Sequence, residues 1–112
     1  MEEKWSRMML NRASFPRAMR RSREPMLMEI RADWCGSCHI MAPVLEKLAA
    51  EYHGKIKFDR VDIETKEQIA REFGVTELPI LLFFRKGQLM DHLIGIAPRA
   101  AIIEKLEVLL QP

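Results

Sequence analysis

Cysteine is scarce in this chain, with two among 112 residues. At most one disulfide can form, which excludes a fold held together by crosslinks. Long apolar runs are missing too: nothing approaches the ~20 consecutive residues a membrane-spanning helix needs. No apolar core of roughly 7–15 residues follows the early basic residues, as a secretory signal would require. There is no internal repeat and no low-complexity tract. Neither sign of charge dominates, since the net charge is +2. That charge is uneven: Lys4, Arg7, Arg12, Arg17, Arg20, Arg21 and Arg23 stand against Glu2, Glu3 and Glu24, while the remainder is nearly balanced. A nucleic-acid surface wants Lys and Arg clustered with aromatics on one face. The body has no such cluster, so no nucleic-acid partner is expected.

The composition is 48% hydrophobic and 30% charged, typical of a soluble globular domain, and the length suits one domain with its own core. Residues 1–24 are expected to form a basic segment packed on that domain, an amphipathic helix and a loop. Trp5, Met8, Met9 and Arg12 fall at helical spacing, Glu2 and Glu3 suit a helix start, and Pro16 prevents one continuous helix. Glu2 and Glu3 also weigh against an organellar transit peptide. Residues 25–112 are expected to be the domain proper, cytoplasmic for want of an export signal, or periplasmic were the N-terminus truncated.

Met26–Ala32 reads as a buried strand, with Glu29 and Arg31 oddly on one parity. From Ser37 to His53 the residues Ile40, Val44, Leu45, Leu48, Ala49 and Tyr52 make a helical stripe, interrupted by Pro43 and stopped by Gly54. Ile56–Ile63 is a second strand. Thr65-Lys66-Glu67-Gln68 is a capping box opening a helix through Phe73. Ile80–Phe84 is the most apolar strand, and Arg85-Lys86-Gly87 turns it into Gln88–Ile94. A last helix follows Pro98, with Ile102, Ile103, Leu106, Leu109 and Leu110 inward. Strand–helix–strand crossovers imply parallel pairing and the hairpin an antiparallel pair, so the class is α/β: a mixed sheet with helices on both faces.

Both cysteines lie in Cys35-Gly36-Ser37-Cys38-His39, where a strand gives way to a helix. Thiols three apart can close a disulfide within one turn, hold a metal, or attach a haem. Cys-x-x-Cys-His is the c-type haem pattern, with His39 as an axial ligand, but such carriers are assembled outside the cytosol and this layout is not theirs. Zinc or an iron–sulfur cluster needs about four ligands, and His39, His53 and His92 are spaced like no finger. A helix N-terminus lowers a thiol pKa through its dipole and unpaired N–H groups. Cys35, just ahead of the helix, is therefore expected to be the exposed, activated nucleophile. Cys38, one turn in, is expected to be buried and to resolve the mixed disulfide.

Ala32-Asp33-Trp34-Cys35-Gly36-Ser37-Cys38 resembles the A-x-W-C-G-P-C active site of the thioredoxin family. Ala42-Pro43, the Val75–Pro79 segment, Gly87 and Gly95 are similar to later family positions in order and spacing, from about Pro25 to Leu110. The resemblance implies a thioredoxin fold; no convincing first edge strand precedes the first helix here, so four strands are expected. It implies a protein-disulfide oxidoreductase that needs no cofactor beyond the redox-active disulfide and no metal. Partners would be disulfide-containing proteins and a reductase or other dithiol donor, with the protein a monomer.

The resemblance also implies site roles. Glu29 would stand for a buried carboxylate of raised pKa that accepts the Cys38 proton, with Arg60 placed to pair with it and hold it ionised. Pro79 would be cis, so that the backbone of Leu78 could pair with a substrate strand. Trp34, Gly36 and Gly95 would shape the site. Ser37 replaces the family's usual proline, and a hydroxyl able to donate to the Cys35 thiolate should make the couple less reducing than in Ser37→Pro. His39 would face solvent and tune Cys35 weakly. The rival from another class is a thioredoxin-fold binding module with an incidental dithiol, Arg31 and the basic leader meeting a dedicated partner.

Overall fold

The computed structural model describes residues 24–63 and 77–112. After Pro25 the apolar run forms β1 (Met26–Arg31), every residue of it buried. Helix α1 (Gly36–Glu51) follows, then β2 (Lys57–Asp62). Strands β3 (Ile80–Arg85) and β4 (Gln88–Ile94) form a hairpin, and α2 (Arg99–Leu109) ends the fold. The hairpin turn has positive φ at both central residues, 52° at Lys86 and 77° at Gly87. That backbone matches the twist of the flanking strands, and glycine adopts it without steric cost.

The four described strands form one mixed sheet in the order β2-β1-β3-β4. β1 runs parallel to β2 and antiparallel to β3, and β3 runs antiparallel to β4. Register decides where the chemistry gathers. Ile30 at the end of β1 lies opposite Ile80 at the start of β3, which lies opposite Ile94 at the end of β4. The Cys35 loop, the segment before β3 and the segment after β4 therefore emerge side by side at one sheet end.

One face of the sheet carries both described helices. Leu27, Leu81 and Phe83 pack with Met41, Leu45 and Leu48 of α1 and with Ile102, Leu106 and Leu109 of α2. Complete burial of each such side chain is worth about 1.5–3 kcal/mol. Met26, Met28, Ile30, Ile80, Leu82 and Phe84 point to the opposite face and are at most 3% exposed. The expected helix from Thr65 to Phe73 and the leader helix lie outside the described residues, so of the helices expected on both faces the described pair occupies one.

Readings of both helices change. Ile40 is 63% exposed rather than part of the buried stripe, which runs instead through Cys38, Met41, Leu45 and Leu48. A helix turns about 100° per residue, so Ile40 and Met41 cannot share one narrow face. At the other end of the fold Leu110 caps α2 and is half-exposed, because the helix finishes at Leu109. Pro98 sits one residue outside α2, at its N-cap.

Candidate active site

The chain leaves β1 through Ala32 and turns at Asp33-Trp34, where the Cys35 N–H donates to the Ala32 carbonyl at 3.2 Å. Cys35 is the N-cap of α1, with an extended backbone. Its Sγ takes the place of the usual Ser or Asp oxygen, accepting the Cys38 backbone N–H at 3.1 Å. The two cysteines are joined as a disulfide, with Cα atoms 5.3 Å apart. A helix start thus points an unpaired N–H and the positive end of its dipole at one sulfur. Cys38 packs wholly within the core with Ile30, Ala32, Ile63 and Ile80.

Cys35 is less exposed than its position before the helix suggests. It is 6% exposed and Cys38 0%. The reason is tertiary: Cys35 forms part of the floor of a cleft of about 480 Å³ whose walls come from three chain segments. Trp34, 47% exposed, and Gly36 and Ser37 give one side, while Leu78 and Gly95 give the other. The Leu78–Pro79 bond is cis. Pro79 is buried behind the cleft rather than lining it, and its carbonyl accepts the Gly95 N–H at 2.8 Å.

Ser37 links the dithiol to this opposite wall. Its Oγ lies 3.4 Å from Cys35 Sγ and donates to the Leu78 carbonyl at 2.7 Å. A hydroxyl has one hydrogen. In the disulfide form that hydrogen is committed to Leu78, a partner the sequence did not suggest across 41 residues. Sequence reasoning also missed Glu77 and Ile96, which complete the cleft beside Leu78 and Gly95. Their adjacency to those two singled-out positions was the available signal.

Glu29 is not in the cleft. It is 8% exposed and lines a separate side cavity of about 270 Å³ with Leu45, Ala49, Phe58 and Arg60. Burial pushes its carboxyl pKa above the ordinary value, while Arg31 and Arg60 pull the other way and lose. The expected Glu29–Arg60 pair is not made among the described residues, so Arg60 does not hold Glu29 ionised. The wet-face explanation for Glu29 and Arg31 fails as well, since Arg31 is only 9% exposed. Its guanidinium donates to Asp62 at 2.5 Å and to Asp33 at 3.1 Å. Arg31 lies opposite Asp62 across the parallel β1–β2 ladder, which explains the pair.

His39 is exposed, and its Nε2 lies 2.8 Å from the Asp33 carbonyl oxygen. One ring nitrogen is thereby engaged with the backbone. Among the described residues no group of three or more His, Cys, Asp or Glu side chains could hold a metal ion. No helix there is long and apolar enough to cross a membrane.

A family model described as Thioredoxin matches residues 6–108, reaching into the basic leader. The chain is 36% identical over 98 residues to the chloroplastic M-type thioredoxin of Pisum sativum, covering 88% of this chain and 57% of that protein. It is 36% identical over 83 residues to thioredoxin 1 of Nostoc sp., covering 74% and 78%. It is 35% identical over 94 residues to the bifunctional thioredoxin reductase/thioredoxin of Mycobacterium leprae, covering 84% and 20%. The chain thus spans little more than half the length of the Pisum relative and a fifth of the Mycobacterium one.

Proposed function

This chain belongs to the thioredoxin family, and from that premise we propose that it catalyses thiol–disulfide exchange on protein substrates through Cys35 and Cys38. One observation carries the assignment of roles: Cys35 Sγ both lines the cleft and accepts the N–H that opens α1, whereas Cys38 is sealed in the core. In the reduced protein the Cys35 thiolate attacks a substrate sulfur from the cleft. An S–S bond forms to Cys35, the substrate S–S bond breaks, and one substrate thiolate leaves. Cys38, one turn away, then attacks Cys35 Sγ, releasing the second substrate thiolate and restoring the internal disulfide. Two electrons pass to the substrate.

Glu29 receives the Cys38 proton in this scheme. Support comes from its burial and its raised pKa, which bring a carboxyl closer to the range where it can trade protons with a thiol. Leu78 offers backbone to an extended substrate segment beside Cys35. A dithiol donor must reduce the pair again, and a reductase suits that part because a relative carries both names in one polypeptide. The proposed setting is the cytoplasm, where such donors keep thiols reduced, with the protein acting as a monomer.

The test is reduction of insulin by dithiothreitol with and without the protein. Wild type should accelerate it, Cys35→Ser should not, and Cys38→Ser should accumulate mixed disulfides with substrates. A wild-type rate no faster than dithiothreitol alone, or full activity in Cys35→Ser, would overturn the proposal and favour a binding module.

A further inference from the structure

The cleft beside Cys35 is mostly apolar and carries one charged side chain. Trp34, Leu78 and Ile96 supply its greasy surface, and among the described residues lining it Glu77 is the one that carries a charge. Glu77 is exposed and makes no ion pair among the described residues. Its side chain does not trail away from the site. Oε2 lies 2.9 Å from where a Cβ on Gly95 would stand, so the carboxylate rests across the Gly95 backbone on the cleft wall. Gly95, at φ 81°, leaves the room it occupies.

Arg31, the cation at the ends of β1 and β2, is taken up by Asp33 and Asp62 and does not pair with Glu77. An exposed carboxylate still attracts a cation held within a few ångströms of it, most strongly at low ionic strength. An anionic segment entering the same cleft meets repulsion.

We propose, building on the thiol–disulfide exchange assigned above, that Glu77 is a specificity-determining residue selecting disulfide substrates with Lys or Arg next to the attacked cystine. The cationic side chain pairs with Glu77 as the cystine settles against Trp34 and Leu78. The bonds made and broken are unchanged, and Glu77 acts on which cystine is presented to Cys35.

The experiment uses pre-reduced full-length protein mixed with three disulfide-bridged peptides, identical except for Lys, Gln or Glu flanking the cystine. Wild type should react about three- to fivefold faster with the Lys peptide than with the Glu peptide at low ionic strength. The ratio should shrink toward one at about 0.5 M salt, where screening acts within a few ångströms. Glu77→Gln should flatten the ratio and Glu77→Lys invert it. Because each ratio is taken within one protein, loss of overall activity in a variant does not affect it. Reaction with none of the peptides would refute the exchange activity itself. Equal rates for all three, or a Lys preference surviving in Glu77→Gln, would overturn the role of Glu77 alone.

Discussion

Replacing Glu29 by Leu should stabilise the protein at neutral pH and slow its chemistry. Glu29 is 8% exposed, and the described residues give its carboxylate neither a hydrogen bond nor an ion pair. A buried polar group without a partner costs about 1–3 kcal/mol by mutational measures. Leucine has similar bulk and suits the neighbouring Leu27, Leu45 and Phe58. Part of the gain is lost because Arg31 and Arg60 lose a nearby negative charge, although Arg31 keeps Asp33 and Asp62. A net gain of about 1–2 kcal/mol is expected, or roughly 4–8 °C in Tm per kcal/mol for a domain near this size. The pH dependence has a definite sign. A carboxyl whose folded pKa lies above its unfolded value binds its proton more tightly when folded, so stability falls as pH rises between the two. The penalty is absent below the ordinary value of 4.5 and complete above the raised folded pKa. Urea unfolding of both disulfide-oxidised proteins at about pH 4 and about pH 8 should show the advantage of Leu at the higher pH, shrinking at the lower. Insulin reduction at neutral pH should be slower in Glu29→Leu and should recover as alkali deprotonates Cys38 without help. A Leu variant less stable than wild type at both pH values would refute the premise that Glu29 is an uncompensated buried acid.

Removing the Ser37 hydroxyl should make the dithiol more reducing. Upon reduction the Cys35 thiolate competes with the Leu78 carbonyl for the single hydroxyl hydrogen, a charge-assisted bond against a neutral one. A net preference of about 1 kcal/mol corresponds to roughly 20 mV for a two-electron couple, so equilibration of Ser37→Ala with a glutathione buffer should move its potential more negative by that amount. A shift to the positive side would show that the hydroxyl serves the disulfide form instead. Arg31 and Asp62 should respond unequally to mutation. Asp62→Ala leaves a buried guanidinium without its nearest partner and should cost about 2 kcal/mol or more, whereas Arg31→Met leaves two wetted carboxylates and removes one cation near buried Glu29, and should cost less, about 1 kcal/mol. Urea titrations in which Arg31→Met is the worse of the two would contradict this ordering.

Local chemistry made much of this protein legible in its amino-acid order. The apolarity of Met26–Arg31 and Ile80–Phe84, the Lys86-Gly87 turn and the cysteine spacing at a helix start are short-range properties, and the elements formed within a residue or two of where they pointed. What depends on contacts between distant segments was not legible. That Arg31 would find Asp62, that Ser37 would bond to Leu78, that Glu29 would open onto a side cavity, and that Glu77 and Ile96 would wall the cleft all follow from strand register. The pairing of Ile30 with Ile80 joins residues fifty positions apart in the chain, and that of Ile80 with Ile94 adds the segment after the hairpin. The exposure of Cys35 was decided in the same way. Its place before a helix comes from its immediate neighbours, whereas the 6% of it that solvent reaches is set by walls folded in from elsewhere. The sequence alone determined which sulfurs would react; only packing determined what surface surrounds them, because that surface is assembled by register and not by neighbours in the chain.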